Sequence, residues 1–216
     1  MRKNMSNLDI TVKQFVVGPV CTNCYLAIHN TTKELLIIDP GDEAKLLEDE
    51  ITKTGAKPVA ILLTHGHFDH ATAAEELRKF YRIEVYAQES EKETLENPSL
   101  NLSGPMMGKP MTYHADHYLA DEQEIDLAGF HIRVLHTPGH TAGGACYYFP
   151  NEMVLFSGDS LFRESVGRTD FPGGSASALI RSIKEKILPL PDFIKVYPGH
   201  NEITSIENER AYNPFL

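Results

Sequence analysis

Residues 64–70 of this chain read Thr64-His65-Gly66-His67-Phe68-Asp69-His70, with three imidazoles and one carboxylate within six positions. Directly upstream lies Val59–Leu63, the longest apolar run, which has the length of a buried strand. Downstream, over about 71–81, Ala73, Ala74, Leu77, Phe80 and Tyr81 recur at helical spacing and predict an apolar stripe. The cluster thus stands at a strand-to-helix junction, where a polar site can open at the mouth of a core. Neutral imidazole and carboxylate are the usual ligands of zinc and similar dications. An isolated His-x-His reads as surface histidines, whereas four ligand-type side chains in one turn read as a metal site.

Three other places share that local grammar: a candidate strand, a tight turn containing glycine, then a ligand-type residue. They are His136-Thr137-Pro138-Gly139-His140, Phe156-Ser157-Gly158-Asp159 and Tyr197-Pro198-Gly199-His200. Glycine lets the backbone turn sharply at a strand end. If these ends gather at one edge of a sheet, the inventory becomes five histidines and two aspartates. One catalytic zinc needs three protein ligands and an open position, so this set suits two divalent ions. His65, His67 and His140 are expected to hold one, and Asp69, His70 and His200 the other. Asp159 is expected to bridge them, because a carboxylate has two oxygens. A hydroxide sharing the bridge is the expected nucleophile, with Asp69 orienting it.

The rest of the chain reads as strands interleaved with helices. Strands are predicted over 10–17, 24–29, 34–39, 58–63, 83–87, 124–127, 130–136, 144–149, 153–157 and 193–197. Helices are predicted over 43–54, 71–81 and 175–188, with a short one after Gln88 and Ser175 as an N-cap. Residues 97–119, with Pro98, Gly104, Pro105, Gly108 and Pro110, read as a long irregular loop whose Met106, Met107 and Met111 could cover a cleft. No repeat is visible at residue level. The fold class is α/β, with sheet in the middle and helices outside.

Composition narrows the function. The 216 residues are 42% hydrophobic and 23% charged, as in ordinary globular proteins. A formal charge of −10 disfavours nucleic acid as a partner, since that affinity comes from neutralising phosphates. No run approaches the roughly 20 apolar residues of a membrane span, and the start, MRKNMSNLDI, lacks the hydrophobic stretch of a secretory signal. Three cysteines make no disulfide framework; Cys21 and Cys24 read as small buried strand residues and Cys146 as core. A cytoplasmic location follows as the expectation. His29, His131, His136 and the His114–His117 stretch read as non-ligands.

In order, THGHFDH, PGH, GD and PGH resemble the metallo-β-lactamase-fold hydrolases, from about Val59 to His200. That resemblance implies an αββα sandwich with metals at one edge of its two central sheets. Ile38-Asp39-Pro40-Gly41 is similar to an early turn of that family, which implies that Asp39 orients a ligand from behind. A plain turn or helix-cap role for Asp39 is the alternative. The stretch Gly167-Arg168-Thr169-Asp170-Phe171-Pro172-Gly173-Gly174 and the early Asn23-Cys24-Tyr25 resemble the small bacterial glyoxalase II-like hydroxyacylglutathione hydrolases. The implied reaction is hydrolysis of S-lactoylglutathione, or another acyl-thiol, in methylglyoxal detoxification. The implied cofactors are two divalent ions, zinc first, with iron or manganese as options.

Leaving-group chemistry agrees: an amine leaving a β-lactam needs a proton, while a thiol of pKa about 8.5 leaves as the anion. No general acid stands beyond the ligand set. Zinc β-lactamases also often carry Cys or another residue where Asp159 stands. Longer glyoxalase II proteins add a helical domain that grips glutathione, whereas only sixteen residues follow His200 here. One domain over 1–216 is therefore expected, with residues 1–8 flexible, and the thiol carrier stays open. So does the oligomeric state.

The rival within the fold is a persulfide dioxygenase with one iron on His65, His140 and Asp159. A non-catalytic or redox-partner module is the alternative from another class, disfavoured by His at position 67. Arg168 and Asp170 read as an ion pair bracing the loop, with attraction of a substrate carboxylate as the alternative.

Overall fold

The computed structural model describes residues 8–216; the segment expected to be flexible, 1–8, lies outside the described residues except for Leu8. Strands covered on both faces read as near-continuous apolar runs, as residues 35–38, 145–149 and 154–156 do. The first sheet comprises β1 (Ile10–Val17), β2 (Thr22–His29), β3 (Glu34–Ile38), β4 (Lys57–Leu62), β5 (Glu84–Gln88) and β6 (His117–Leu119), side by side in chain order. Antiparallel pairing joins β1 to β3, and parallel pairing joins β3 to β6. The chain then forms β7 (Glu124–Leu127), β8 (Phe130–His136), β9 (Ala145–Phe149), β10 (Val154–Gly158), a small hairpin of β11 (Leu161–Phe162) and β12 (Ser165–Val166), β13 (Lys195–Pro198) and β14 (Thr204–Ser205). The second sheet has the order β14-β13-β10-β9-β8-β7.

The helices are α1 (Ala44–Thr54), α2 (Phe68–Ala71), α3 (Ala74–Tyr81), α4 (Lys92–Glu96), α5 (Ser103–Met107), α6 (Ala176–Ser182) and α7 (Ile206–Tyr212). Period-2 alternation splits the apolar strands between two cores. On β3, Leu36 and Ile38 face the second sheet, meeting Ile132, Val134, Tyr147 and Phe156. Leu35 and Ile37 face outward and pack with Leu47, Ile51 and Leu77 of the helices. The second sheet does the same, with Leu135, Leu155 and Val196 against Leu179, Ile183 and Ile206. The result is the expected αββα sandwich.

Several local expectations need correction. The helix predicted over 71–81 is two: Ala73 N–H bonds the Pro40 carbonyl and Thr72 Oγ1 bonds Phe68 O, so the first turn closes on itself before α3 begins. Phe80 is not part of a buried stripe but is 62% exposed, in the last turn of α3 with its ring edge-on to that of Tyr81. Residues 97–119 are not structureless: they hold α5 and β6. Buried Asn101 organises the stretch, donating to Leu95 O and Met111 O and accepting from Ser103 N–H. The helix over 175–188 becomes α6 followed by a π-helical turn, Ile183–Ile187, after the expected Ser175 cap. Cys24 is buried on β2, but Cys21 is exposed in the preceding turn at φ 60°. No repeat shows in the residues, yet each half forms a six-stranded sheet with helices outside it.

Phe156 is fully buried among the rings of Tyr25, Phe149 and Tyr197. Phe156→Ala is expected to cost about 3–5 kcal/mol, and Phe80→Ala less than about 0.5 kcal/mol. Urea unfolding checks both, through a fall in midpoint at constant slope for the first variant.

Candidate metal centre

β8 and β10 both run antiparallel to β9, and β13 is parallel to β10, so the C-terminal ends of these three strands share one edge. His140, Asp159 and His200 follow those ends. β4 brings the 65–70 cluster to the same edge from the first sheet. Bonds between the sheets fix the approach: Ala145 N–H donates to Thr64 O at 2.9 Å, and Tyr25 O–H to Pro198 O at 2.7 Å. Asn23 donates through Nδ2 to Pro198 O and Asn201 O and through its backbone N–H to Gly199 O. The Asn23-Cys24-Tyr25 stretch therefore pins the turn that carries His200.

All seven predicted residues converge. His67 Nδ1 lies 3.1 Å from His65 Nε2 and 2.9 Å from His140 Nε2. His70 Nε2 lies 3.4 Å from His200 Nε2, and Asp69 Oδ2 lies 3.3 Å from the same His200 atom. Asp159 sits between the halves, with Oδ2 3.4 Å from His140 Nε2 and 3.5 Å from His200 Nε2, and Oδ1 3.5 Å from His70 Nε2. Three groupings have ligand atoms close enough for one ion: His65–His67–His140, His65–His70–Asp159 and Asp69–His70–His200. Gly199 leaves room for this approach, since a Cβ there would stand 2.2 Å from Asp159 Oδ1. Gly158, at φ 48°, would drive a Cβ into Thr64.

Outer hydrogen bonds decide which ring nitrogen faces inward. His140 Nδ1 lies 2.8 Å from the Arg168 carbonyl and His200 Nδ1 lies 3.3 Å from the Cys21 carbonyl; a carbonyl only accepts, so both nitrogens carry the proton. His70 Nδ1 faces Asp39 Oδ2 at 3.0 Å. Thr64 donates its hydroxyl proton to Asp39 Oδ2, so its oxygen accepts from His65 Nδ1 at 3.2 Å. In each of the four, Nε2 is the nitrogen turned to the centre. Asp39, buried and at φ 51°, thereby orients two of the rings, and also accepts from Thr64 N–H.

The electrostatics divide the cluster. Burial and neighbouring imidazoles push His65 and His67 well below the ordinary histidine range. Burial would lower His70 too, but the Asp69, Asp159 and Asp39 carboxylates outweigh it and raise it to about 10. Burial tends to raise Asp69, yet His70, His200 and the Thr22 hydroxyl, 2.8 Å away, hold it well below the carboxylate range. Such a half-site demands positive charge. Among the described residues, His67 Nε2 and Asp159 Oδ1 are also buried without a hydrogen-bond partner. This donor set fits divalent cations.

Thr22 and Glu91 were not legible as site residues in the sequence. Glu91 is fully buried and accepts from Gly66 N–H, Thr141 Oγ1 and Gly143 N–H; burial pushes it up to about 7 against those bonds. A lone Glu in an acidic stretch gives no signal of this. Arg168 and Asp170 form the expected ion pair, through two 2.7 Å bonds, with the guanidinium stacked on Phe171 at 4.0 Å. A cavity of about 480 Å³ opens over the cluster, walled by Val20, Met106, Phe162, Arg168 and Phe171. His114 and His117 pair with Glu96 and Glu84 at the surface, away from it.

A family model, the metallo-β-lactamase superfamily, matches residues 17–200. A Bacillus subtilis protein named probable metallo-hydrolase YqgX is 40% identical over 94% of this chain and 96% of its own length. The hydroxyacylglutathione hydrolase GloC of Haemophilus influenzae is 40% identical over 90% of this chain and 92% of its own. The crystal structure of the B3 metallo-β-lactamase BLEG-1 superposes with a TM-score of 0.91 at 44% identity, covering 95% of this chain and 99% of that one. With fold, sequence and donor geometry in agreement, the chain belongs to the metallo-β-lactamase superfamily and is a metallo-hydrolase.

Proposed function

We propose that this metallo-hydrolase cleaves acyl-thiol esters, S-lactoylglutathione or a related thioester, using two divalent ions. The observation that carries the two-ion reading is Asp159, whose two oxygens lie between the three-histidine half and the Asp69–His70–His200 half. His65, His67 and His140 would hold one ion and Asp69, His70 and His200 the other, zinc being the first choice. Such ions supply Lewis acidity and lower the pKa of water towards about 7. The chain does the positioning: Thr22 and His200 fix Asp69 Oδ2, so that this carboxylate can orient the attacking water. Phe171 and Met106 wall the cavity and limit water around the acyl group.

The thioester preference rests on the leaving group. Apart from the cluster itself, Arg168 is the charged side chain lining the cavity. A guanidinium does not give up its proton, and Ser165, also in the lining, is no acid at neutral pH. A thiolate leaves without help; an amine does not. The name of the Haemophilus relative supports the same reading. The likeness to BLEG-1 favours a second one, β-lactam hydrolysis, in which water would have to protonate the amine. Clearance of methylglyoxal-derived thioesters in the cytoplasm is the corresponding biological role.

Protein purified without added metal is expected to contain two zinc ions per chain and to hydrolyse S-lactoylglutathione faster than a cephalosporin. One iron, with oxygen consumed on glutathione persulfide, would instead establish the dioxygenase. Asp159→Ala is expected to lose metal and turnover together; full metal content by elemental analysis would exclude a bridging role. Asp69→Asn is expected to keep the ion of the three-histidine half while kcat falls at least about 100-fold. Turnover near that of the parent would remove Asp69 from the mechanism.

A further inference from the structure

We propose that Glu91 is a positioning residue for the three-histidine half of the centre, a buried carboxylate that clamps the loop carrying His65 and His67 to the loop carrying His140. Its Oε1 accepts from Gly66 N–H at 2.8 Å, and Gly66 is the residue between those two histidines. Its Oε2 accepts from Thr141 Oγ1 at 2.9 Å and from Gly143 N–H at 2.6 Å, one and three residues after His140. The loops lie far apart in sequence, and each reaches the centre from a different sheet. Main chain meets main chain here, since a Cβ on Gly143 would stand 2.1 Å from Glu91 N.

Packing alone does not call for a carboxylate. Burying one is costly unless its oxygens are satisfied, and aliphatic side chains of similar volume hold loops together without that cost. What a carboxylate does, and an aliphatic group does not, is accept three directed bonds from two loops at once. That fixes the relative position of the loops, and with it the 2.9 Å and 3.1 Å spacings among His65 Nε2, His67 Nδ1 and His140 Nε2. The other half of the centre has separate supports: Asp39 behind His70, Thr22 on Asp69 and the Cys21 carbonyl on His200. Loss of the Glu91 clamp therefore weakens one ion and spares the other.

The inference rests on the two-ion reading above, and titration of the metal-stripped full chain with Co²⁺, followed by absorption and calorimetry, separates the two. Glu91→Gln keeps the size but, whichever way the amide turns, sets an NH₂ group against a backbone N–H, that of Gly66 or that of Gly143. One ion is expected to bind about 10–100-fold more weakly, with the other unchanged, a magnitude typical of groups supporting ligands from behind. His140→Ala identifies the absorption band of the weakened ion. Thr141→Val removes one hydroxyl, leaves the backbone bonds, and is expected to weaken the same ion severalfold. It decides the matter if Glu91→Gln does not fold. A parent protein that takes up fewer than two ions overturns the two-ion reading and the clamp with it. Two ions at parental affinity in the variants, or equal weakening of both, overturns the clamp alone, whatever happens to Tm.

Discussion

Imidazole nitrogens with lone pairs do not crowd within 3.5 Å of one another and of carboxylates unless the surrounding structure holds them there. The centre depends on that constraint being met from outside. Four rings donate Nδ1–H to fixed acceptors, which leaves Nε2 no direction but inward. His67 is the exception, entering through Nδ1 with Nε2 buried and unpartnered. The acceptors are a buried carboxylate, a threonine hydroxyl and two backbone carbonyls, and none touches the centre's interior face. Specificity for cations is thus built as much by Asp39, Thr64, Cys21 O and Arg168 O as by the ligand-type side chains themselves.

Holding those acceptors takes the whole sandwich. Two aromatic hydroxyls cross between the sheets, Tyr25 to Pro198 O and Tyr147 to Leu63 O. Each satisfies a carbonyl just at or beyond the strand end that delivers a ligand. The cross-sheet core thereby sets the gap between the 65–70 cluster and the other three turns. Arg168 shows the same division of labour. Its side chain pairs with Asp170 and stacks on Phe171, while its carbonyl is what orients His140. The Gly167–Gly174 stretch thus serves the centre twice, through the Arg168 carbonyl and through the Phe171 ring set against His67 and His140.

Local grammar made much of this readable. Strand, glycine and ligand at 139–140, 158–159 and 199–200 located the turns, and the 64–70 cluster located the fourth. Gly139 and Gly158 adopt positive φ, the sharp turn that their place in the sequence implies, whereas Gly199 acts for a reason the sequence did not hold: it clears space for Asp159. Where local reading failed, a distant partner had intervened. The Pro40 carbonyl takes the Ala73 N–H at the break between α2 and α3, within the helix expected over 71–81, and Asn101 orders a stretch rich in proline and glycine. Phe80 has the spacing of a core residue and is nonetheless 62% exposed.

The sequence by itself determined which residue types would be available, where strands would stop, and that five histidines and two aspartates exceed what one ion uses. These are properties of short windows and of chemistry that travels with the side chain. Tertiary structure alone decided that Asp159 lies between two half-sites, that Asp39 faces His70 and Thr64, and that Glu91 ties two loops together. Such facts are distances between residues dozens of positions apart. They are fixed by how two sheets pack, and pairwise geometry of that kind leaves no trace in local composition or periodicity.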